Sequence, residues 1–294
     1  MSELLTILGC RYPVIQGPIG MLNDPGMVAA VSGAGAYGML ALGFVKDVDE
    51  VRKLVDGVRE LTDKPFGANI MLVNPLNEKI LEVLAGAGVK AVTTSVGSPA
   101  GIYPIIHDLG MKGIHVVLAF HHALKAVEAG ADGLVIAGSE AGGLRSVNSE
   151  SSTMVLVPLV VDHVKVPVVA AGGIADSRGY KAALALGAQG VQVGTRFLAS
   201  EESPADERWK KAIVECEDGG TDLIPAGNLR SRIIVSPWIK QKMADPAVKN
   251  IADELDRVPT ATGNYERAAL GAGQVSALIK DIKPIKVIIE EMVS

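Results

Sequence analysis

The stretch from 166 to 197, VPVVAAGGIADSRGYKAALALGAQGVQVGTRF, sets the tightest limit on what this chain can fold into. Two short apolar runs, 166–171 and 190–193, each end on glycine: Gly172-Gly173 follows the first and Gly194-Thr195 the second. Between them, 177–186 reads as an alanine-rich helix closed by Gly187. That order is a βαβ unit whose strands both deliver glycine-rich turns at their carboxyl ends. Glycine there lets backbone N–H groups approach an anion closely, and a following helix N-terminus adds a favourable dipole. In a (β/α)8 barrel, the turns after the seventh and eighth strands are where a phosphate is usually held. Plain tight turns would also use glycine, but two of them one βα unit apart favour the phosphate reading.

The same alternation runs through the earlier part of the chain. Strand-like runs at 14–16, 36–40, 66–70, 91–94, 113–118 and 133–136 are separated by helical segments at 25–32, 47–61, 75–87, 99–109 and 121–129. A long loop then leads to a further helix at 154–161. In 47–61, Val48, Val51, Leu54, Val55 and Val58 fall at helical spacing, as do Ile80, Val83 and Leu84 in 75–87. Eight strand candidates recurring every ~20–35 residues predict an α/β fold. The chain is 48% hydrophobic but only 4% aromatic. Such a core is built from Val, Ile, Leu and Ala, as parallel strands buried on both faces require. An open doubly wound sheet shares the pattern; eight consecutive strands with no obvious reversal favour a closed, TIM-like barrel.

After Phe197 the character changes. A helix at 205–215 is followed by the irregular stretch GGTDLIPAGNLRSR, by helices at 237–243 and 246–255, and by an apolar terminal helix at 274–292 interrupted near Pro284. The expected organisation is a barrel from 1–199 and 266–294, with 200–265 a smaller, mainly helical lid inserted after the last strand. A long insertion there is suitable material to cover a barrel mouth.

Several functions are excluded or disfavoured. A formal charge of −5 offers no footprint for nucleic acid. No apolar run reaches membrane-spanning length, and MSELLTILGCRYP lacks a secretory pattern. Cys10 and Cys216 read as free thiols in a reducing cytoplasm. No Ser-His-Asp order, metal-ligand spacing, P-loop lysine or GxGxxG turn is present.

The candidates for chemistry lie at the carboxyl ends of strands. The loop AGSEAGGLRSVNSESST, 137–153, carries Glu140, Arg145 and Glu150; it reads either as a catalytic or substrate loop, or as a flexible surface loop. Asn69 ends the third strand, where its amide could bond a planar heterocycle or simply satisfy backbone. Thr93-Thr94-Ser95 invites the same two readings. His121 and His122 follow the fifth strand on the expected active face. His115 reads as a core residue, and His107 and His163 as helix-surface residues.

Five segments together carry a resemblance: RYPVIQGPIG, KPFGANI at 64–70, TTSVGSP at 93–99, GADGLVIAGSEAGG at 130–143, and the stretch ending GVQVGTRF. With Gly263-Asn264 and the terminal GQVSALIKDIKPI, they resemble the flavin-dependent family of nitronate monooxygenases and FMN-type enoyl-acyl-carrier-protein reductases across essentially the whole chain. The resemblance implies a barrel that holds FMN non-covalently. By motif, Gly172, Gly173, Gly194 and Thr195 would hold its phosphate. Asn69 and the backbone of Gly17, Pro18 and Ile19 would contact the ring. Gly142, Gly143 and Gln192 are further cofactor candidates. Members of the family usually carry histidine immediately after EAGG, the base or polar group facing the reacting carbon; here that position is Leu144. Leucine neither transfers a proton nor bonds a nitronate oxygen. Reduction of an α,β-unsaturated acyl thioester or similar enone, fuelled by NADH or NADPH, depends less on such a base. Arg145, Ser146 or His121 could then supply polarity. The alternatives are a nitronate monooxygenase or quinone reductase with an altered site, and a flavin-binding protein without catalysis. Oligomeric state stays open, with a homodimer one option.

Overall fold

The structure is a computed structural model describing residues 2–20, 22–148, 150–256 and 265–294. Its strands in chain order are β1 (Val14–Gln16), β2 (Gly38–Ala41), β3 (Phe66–Met71), β4 (Ala91–Ser95), β5 (Lys112–Val117) and β6 (Gly133–Ala137). The short β7 (Gly143–Arg145), β8 (Val168–Ala171) and β9 (Gly190–Val193) follow. All except β7 form one parallel sheet in the order β1-β9-β8-β6-β5-β4-β3-β2. A parallel bridge between Ile15 and Tyr37 joins its two ends, so the sheet closes into the expected barrel.

Side chains alternate across these strands because successive Cβ atoms point to opposite faces. Val14, Val92, Leu134, Val168 and Val191 meet the surrounding helices, while Ile15, Tyr37, Met39, Ala91, Ile114, Val135 and Val169 fill the interior. Tyr37 crosses that interior to donate its hydroxyl to the carbonyl of Ala91 at 2.8 Å. It passes over Gly67, where a Cβ would lie 2.6 Å from its ring. The amino-terminal end is plugged by a helix the sequence reading did not anticipate, Glu3–Leu8, capped by Ser2. Its Leu4 and Leu8 are fully buried, worth about 1.5–3 kcal/mol each.

Seven helices follow successive barrel strands: Pro25–Gly33, Val48–Leu61, Asn77–Gly86, Ile102–Asp108, Phe120–Glu128, Thr153–Val161 and Ser177–Ala185. The chain end supplies the eighth, Ile285–Val293, packed against Ser177–Ala185 and Pro25–Gly33. The single interrupted helix expected over 274–292 is instead a 3-10 turn, Gln274–Leu278, and this separate helix. Pro284 sets the start of the latter, since its missing N–H and fixed φ suit a helix entrance and not an interior.

The segment after β9 departs further from expectation. Helices Glu207–Val214 and Pro237–Met243 are present, but the stretch expected to be irregular is a hairpin, β10 (Thr221–Ala226) and β11 (Leu229–Ile234). Its two-residue connection contains Gly227 at φ 63°, and glycine-containing two-residue connections are a hairpin signal. The helix expected over 246–255 reduces to a 3-10 turn, Ile251–Asp253. Gly263 and Asn264 lie outside the described residues. β11 pairs antiparallel with β7, so the outer sheet joins this segment to the loop after β6.

Candidate functional site

The carboxyl ends of the strands bring the predicted glycines together. Gly17 donates its N–H to the Val193 carbonyl at 2.8 Å, and a Cβ on it would lie 3.3 Å from Gly194. Gly172 and Gly173 both have positive φ, 98° and 77°, a pair of conformations that needs glycine. A Cβ on Gly172 would crowd Ala141, 3.0 Å from its N, whereas one on Gly194 would meet nothing within 4 Å. The two turns therefore back onto protein at Gly172 and face open space at Gly194. The longer helix after β8 is already capped by its own Asp176, which accepts from the amides of Arg178 and Gly179. The Arg178 guanidinium beside this carboxyl lowers its pKa below the usual carboxylate range. The expected helix-dipole contribution from that end is thus occupied internally, and backbone amides are what the turns offer an anion.

A second seam holds the cradle from outside. Gly273 donates its N–H to Thr195 Oγ1 at 2.9 Å, and Gln274 N donates to the Glu140 carbonyl at 2.9 Å. A Cβ on Gly142 would lie 2.7 Å from Gly273 N, so the loop after β6 and the 271–274 segment meet backbone to backbone. The Glu140 carboxylate accepts from Thr153 N at 2.9 Å and Thr153 Oγ1 at 3.0 Å, capping the helix Thr153–Val161 from thirteen residues away. Thr153 Oγ1 also lies 3.0 Å from the Gly172 carbonyl. One carboxylate therefore ties the loop after β6 to the turn after β8. Glu140 stands out in the sequence as a charged residue of this loop and Gly273 as the start of GQVSALIKDIKPI, whereas Thr153 carries no signal of its own.

Inside the barrel mouth, Asn69 is buried and held by its neighbours: Nδ2 donates to Thr93 Oγ1 at 2.8 Å, and Oδ1 accepts from Ser95 Oγ at 3.2 Å. Nδ2 also reaches the Thr93 carbonyl at 3.5 Å, so the capacity left for a ligand lies at the second lone pair of Oδ1. Gln192 has a buried Oε1 without a partner. Beside them, Val96 sits at φ 49°, the one non-glycine residue with positive φ among those described. A β-branched residue there costs on the order of 1–3 kcal/mol and tends to mark functional turns.

The residues singled out as sources of polarity divide. Arg145 is buried, with Nη2 donating to Glu150 Oε2 at 2.7 Å and to the Ala137 carbonyl at 3.0 Å, and Nε to Glu150 at 2.9 Å. Glu150 also accepts from Ser146 N at 2.6 Å. Arg230, opposite Arg145 on β11, donates to the carbonyls of Ser146 and Asn148. Arg232 reaches the Ser139 carbonyl at 3.1 Å; its burial and then the Arg145 charge push its pKa down. Arg145 is thereby engaged in holding the loop. Leu144 takes the opposite pleat, across from Ser231, and is 36% exposed. His121 stands apart, exposed, its ring 4.1 Å from that of His122. His115 is the satisfied core residue expected. Its Nδ1 lies 2.7 Å from Thr94 Oγ1, and burial and then His122 lower its pKa to about 4.

Among the described residues no cluster of metal-ligating side chains occurs, and no helix is long and apolar enough to cross a membrane. A closed parallel barrel with glycine turns after its last two strands places the chain among the (β/α)8 proteins, in which those two turns frequently form a phosphate site. The chain belongs to the nitronate monooxygenase family, whose profile matches residues 1–85 and 74–294, and it is an oxidoreductase. It is 30% identical to the nitronate monooxygenase of Pseudomonas aeruginosa, with 99% of each chain covered. It is 28% identical to (3aS,4S,5R,7aS)-5-hydroxy-7a-methyl-1-oxo-octahydro-1H-indene-4-carboxyl-CoA dehydrogenase of Rhodococcus jostii, covering 100% of this chain and 95% of the other. Among solved structures, FabK from Thermotoga maritima superposes with a TM-score of 0.89 at 34% identity, covering 100% and 95%.

Proposed function

We propose that this protein is an FMN-dependent oxidoreductase that uses NADH or NADPH to reduce an α,β-unsaturated acyl thioester or a similar enone. The observation that carries the substrate class is the loop after β6. Where the family usually has histidine it has Leu144, and its charged groups are engaged elsewhere: Glu140 on Thr153, Glu150 on Arg145. Abstraction of a proton by a side chain of this loop is left without an agent. The likeness to a dehydrogenase named for a carboxyl-CoA agrees with a thioester substrate.

The residues present fit FMN. The open face at Gly194, the paired positive-φ glycines and the Thr195 turn suit a phosphate, and the remaining capacity of Asn69 and Gln192 suits the edge of a heterocycle. Bound there, FMN supplies two-electron transfer between a nicotinamide and an activated alkene. The chain's own part is to hold the phosphate on backbone amides, to orient the ring through Asn69, and to present Leu144 as an aliphatic surface that neither accepts nor donates a proton.

The test is an anaerobic assay of FMN-loaded protein. Oxidation of NADH or NADPH that depends on an added enoyl thioester supports the reading. Oxygen-dependent turnover of an alkyl nitronate without nicotinamide consumption would sink it, in favour of the activity named for the Pseudomonas relative. Flavin reduced by neither nicotinamide nor nitronate would indicate a binding protein, and a colourless protein that ignores added FMN removes the cofactor. Leu144→His is expected to gain nitronate turnover measurable by oxygen uptake, since it restores a proton-transferring group at the family position.

A further inference from the structure

The loops after β2, β3 and β4 are fastened to one another at the barrel mouth. Asn74 Nδ2 donates to the carbonyls of Gly43 at 3.4 Å and Val45 at 3.0 Å, and Leu72 N donates to the Ser95 carbonyl at 2.7 Å. Two close approaches lock the same junctions. A Cβ on Gly43 would lie 2.5 Å from Met71 Sδ, and one on Gly97 would lie 2.9 Å from Leu72 Cβ. The strained turn at Val96 belongs to this bundle. Loops are ordinarily the mobile part of a fold; here cross-links hold three of them in one arrangement.

What this frame presents to solvent is apolar. Phe44 is 51% exposed and Val73 64%. Asn74 joins the two loops that carry them, and Val73 Cγ1 lies 3.5 Å from where a Cβ on Gly97 would be. Ala41 pairs with Asn69 across β2 and β3, so Phe44 comes three residues and Val73 four residues beyond that level. Both therefore lie at most ~14 Å along the chain from the amide read as meeting the flavin ring. In the ring of eight strands β2 is four places from β6, so the loop carrying Leu144 rises from the opposite side of the barrel.

We propose, resting on the thioester reading above, that Phe44 and Val73 set the chain-length preference of this protein by forming a shelf for the hydrocarbon tail of its acyl thioester. Together they expose on the order of 200 Å² of apolar surface. That is about a quarter of what each partner gives to a standard protein interface, and it suits one alkyl chain. A surface already fixed by its frame loses little freedom when it is covered. Each methylene that leaves water there raises affinity about fourfold. An acyl group that ends beside Asn69 gains nothing from the shelf, and one that runs past it gains with every carbon laid down.

Anaerobic oxidation of NADH or NADPH by the FMN-loaded protein tests this with trans-2-enoyl-CoA substrates of four, eight and twelve carbons. In wild type kcat/KM is expected to rise about tenfold or more from the shortest to the longest, chiefly through KM. Phe44→Ala with Val73→Ala should cut that ratio to roughly threefold or less. Leu61→Ala removes a side chain 61% exposed on the outer helix Val48–Leu61 and should keep the wild-type ratio. Binding is read separately, by calorimetric titration of the FMN-loaded protein with butanoyl-CoA and with dodecanoyl-CoA below its micellar concentration. The longer ligand should bind about tenfold tighter to wild type and nearly equally to the double variant. Turnover that ignores chain length, or a length preference that the double variant keeps, overturns the shelf and leaves the thioester reading standing. If no enoyl thioester is turned over, that reading falls, and the binding ratio decides the shelf: a preference lost in the double variant supports it, and equal affinities in wild type overturn it. Both side chains are more than half exposed, so far-UV circular dichroism should match wild type. If the double variant does not fold, Val73→Ser replaces it, with a reduced ratio expected and an unchanged one overturning the shelf.

Discussion

The turns after β8 and β9 and the loop after β6 meet where Gly172 backs onto Ala141, and they are built on opposite principles. The turns are backbone: two glycines at positive φ, and Gly194 with open space where a side chain would begin. The loop is side chains: Glu140 on Thr153, Arg145 on Glu150 and the Ala137 carbonyl, Arg230 on two loop carbonyls. A turn built of glycine leaves its backbone uncovered, because no side chain is there to shield it. A loop held by charge pairs uses those charges for its own shape, and what it then presents is the residue left over, Leu144. A charged side chain beside a presumed site is thus no measure of chemistry until its partners are known.

Four substitutions test that contrast. Glu150→Gln should have the largest effect, since it leaves buried Arg145 without its counter-charge. A loss of roughly 3–5 kcal/mol is expected in urea unfolding, with little recovery of free arginine for a ligand. A loss below 1 kcal/mol would mean that the pair does not hold the loop. Gly172→Ala is expected next, at about 1–3 kcal/mol from the positive φ and the crowding by Ala141, together with loss of bound FMN seen in the flavin absorbance of the purified protein. Glu140→Gln should lower stability by ~1 kcal/mol through the weakened helix cap and should weaken FMN several-fold by loosening the turn after β8. Gly194→Ala should leave the melting temperature within error of wild type, as its Cβ meets nothing, yet weaken FMN at least tenfold by fluorescence titration. If Gly194→Ala lost stability and kept FMN, the open face would not be the phosphate site.

Much of this arrangement was legible before the structure. The eight strands lie within a few residues of their predicted runs, because alternating β-branched runs and glycine-capped helices are local signals. The hairpin β10–β11 is hidden in the sequence, although Gly227-Asn228 is a turn signal, because Leu223 and Ile224 break the alternation that marks a strand. The helix Glu3–Leu8 is hidden for a different reason: six residues carry too little periodicity, and its stability comes from burying Leu4 and Leu8 against the barrel.

Residue order alone carries the α/β alternation that favours a parallel barrel, the two glycine turns at its mouth, and the aliphatic Leu144 after Gly142-Gly143. These depend on backbone conformation and residue type, which are properties of short segments. The folded chain adds what no segment encodes: closure of the barrel through the Ile15–Tyr37 bridge, Arg145 paired with Glu150, Glu140 capping a helix thirteen residues on, and the loop after β6 sharing a sheet with the segment after β9. Those outcomes depend on which charges meet across folded distances, and an ion pair or a cap leaves no periodic trace in the chain.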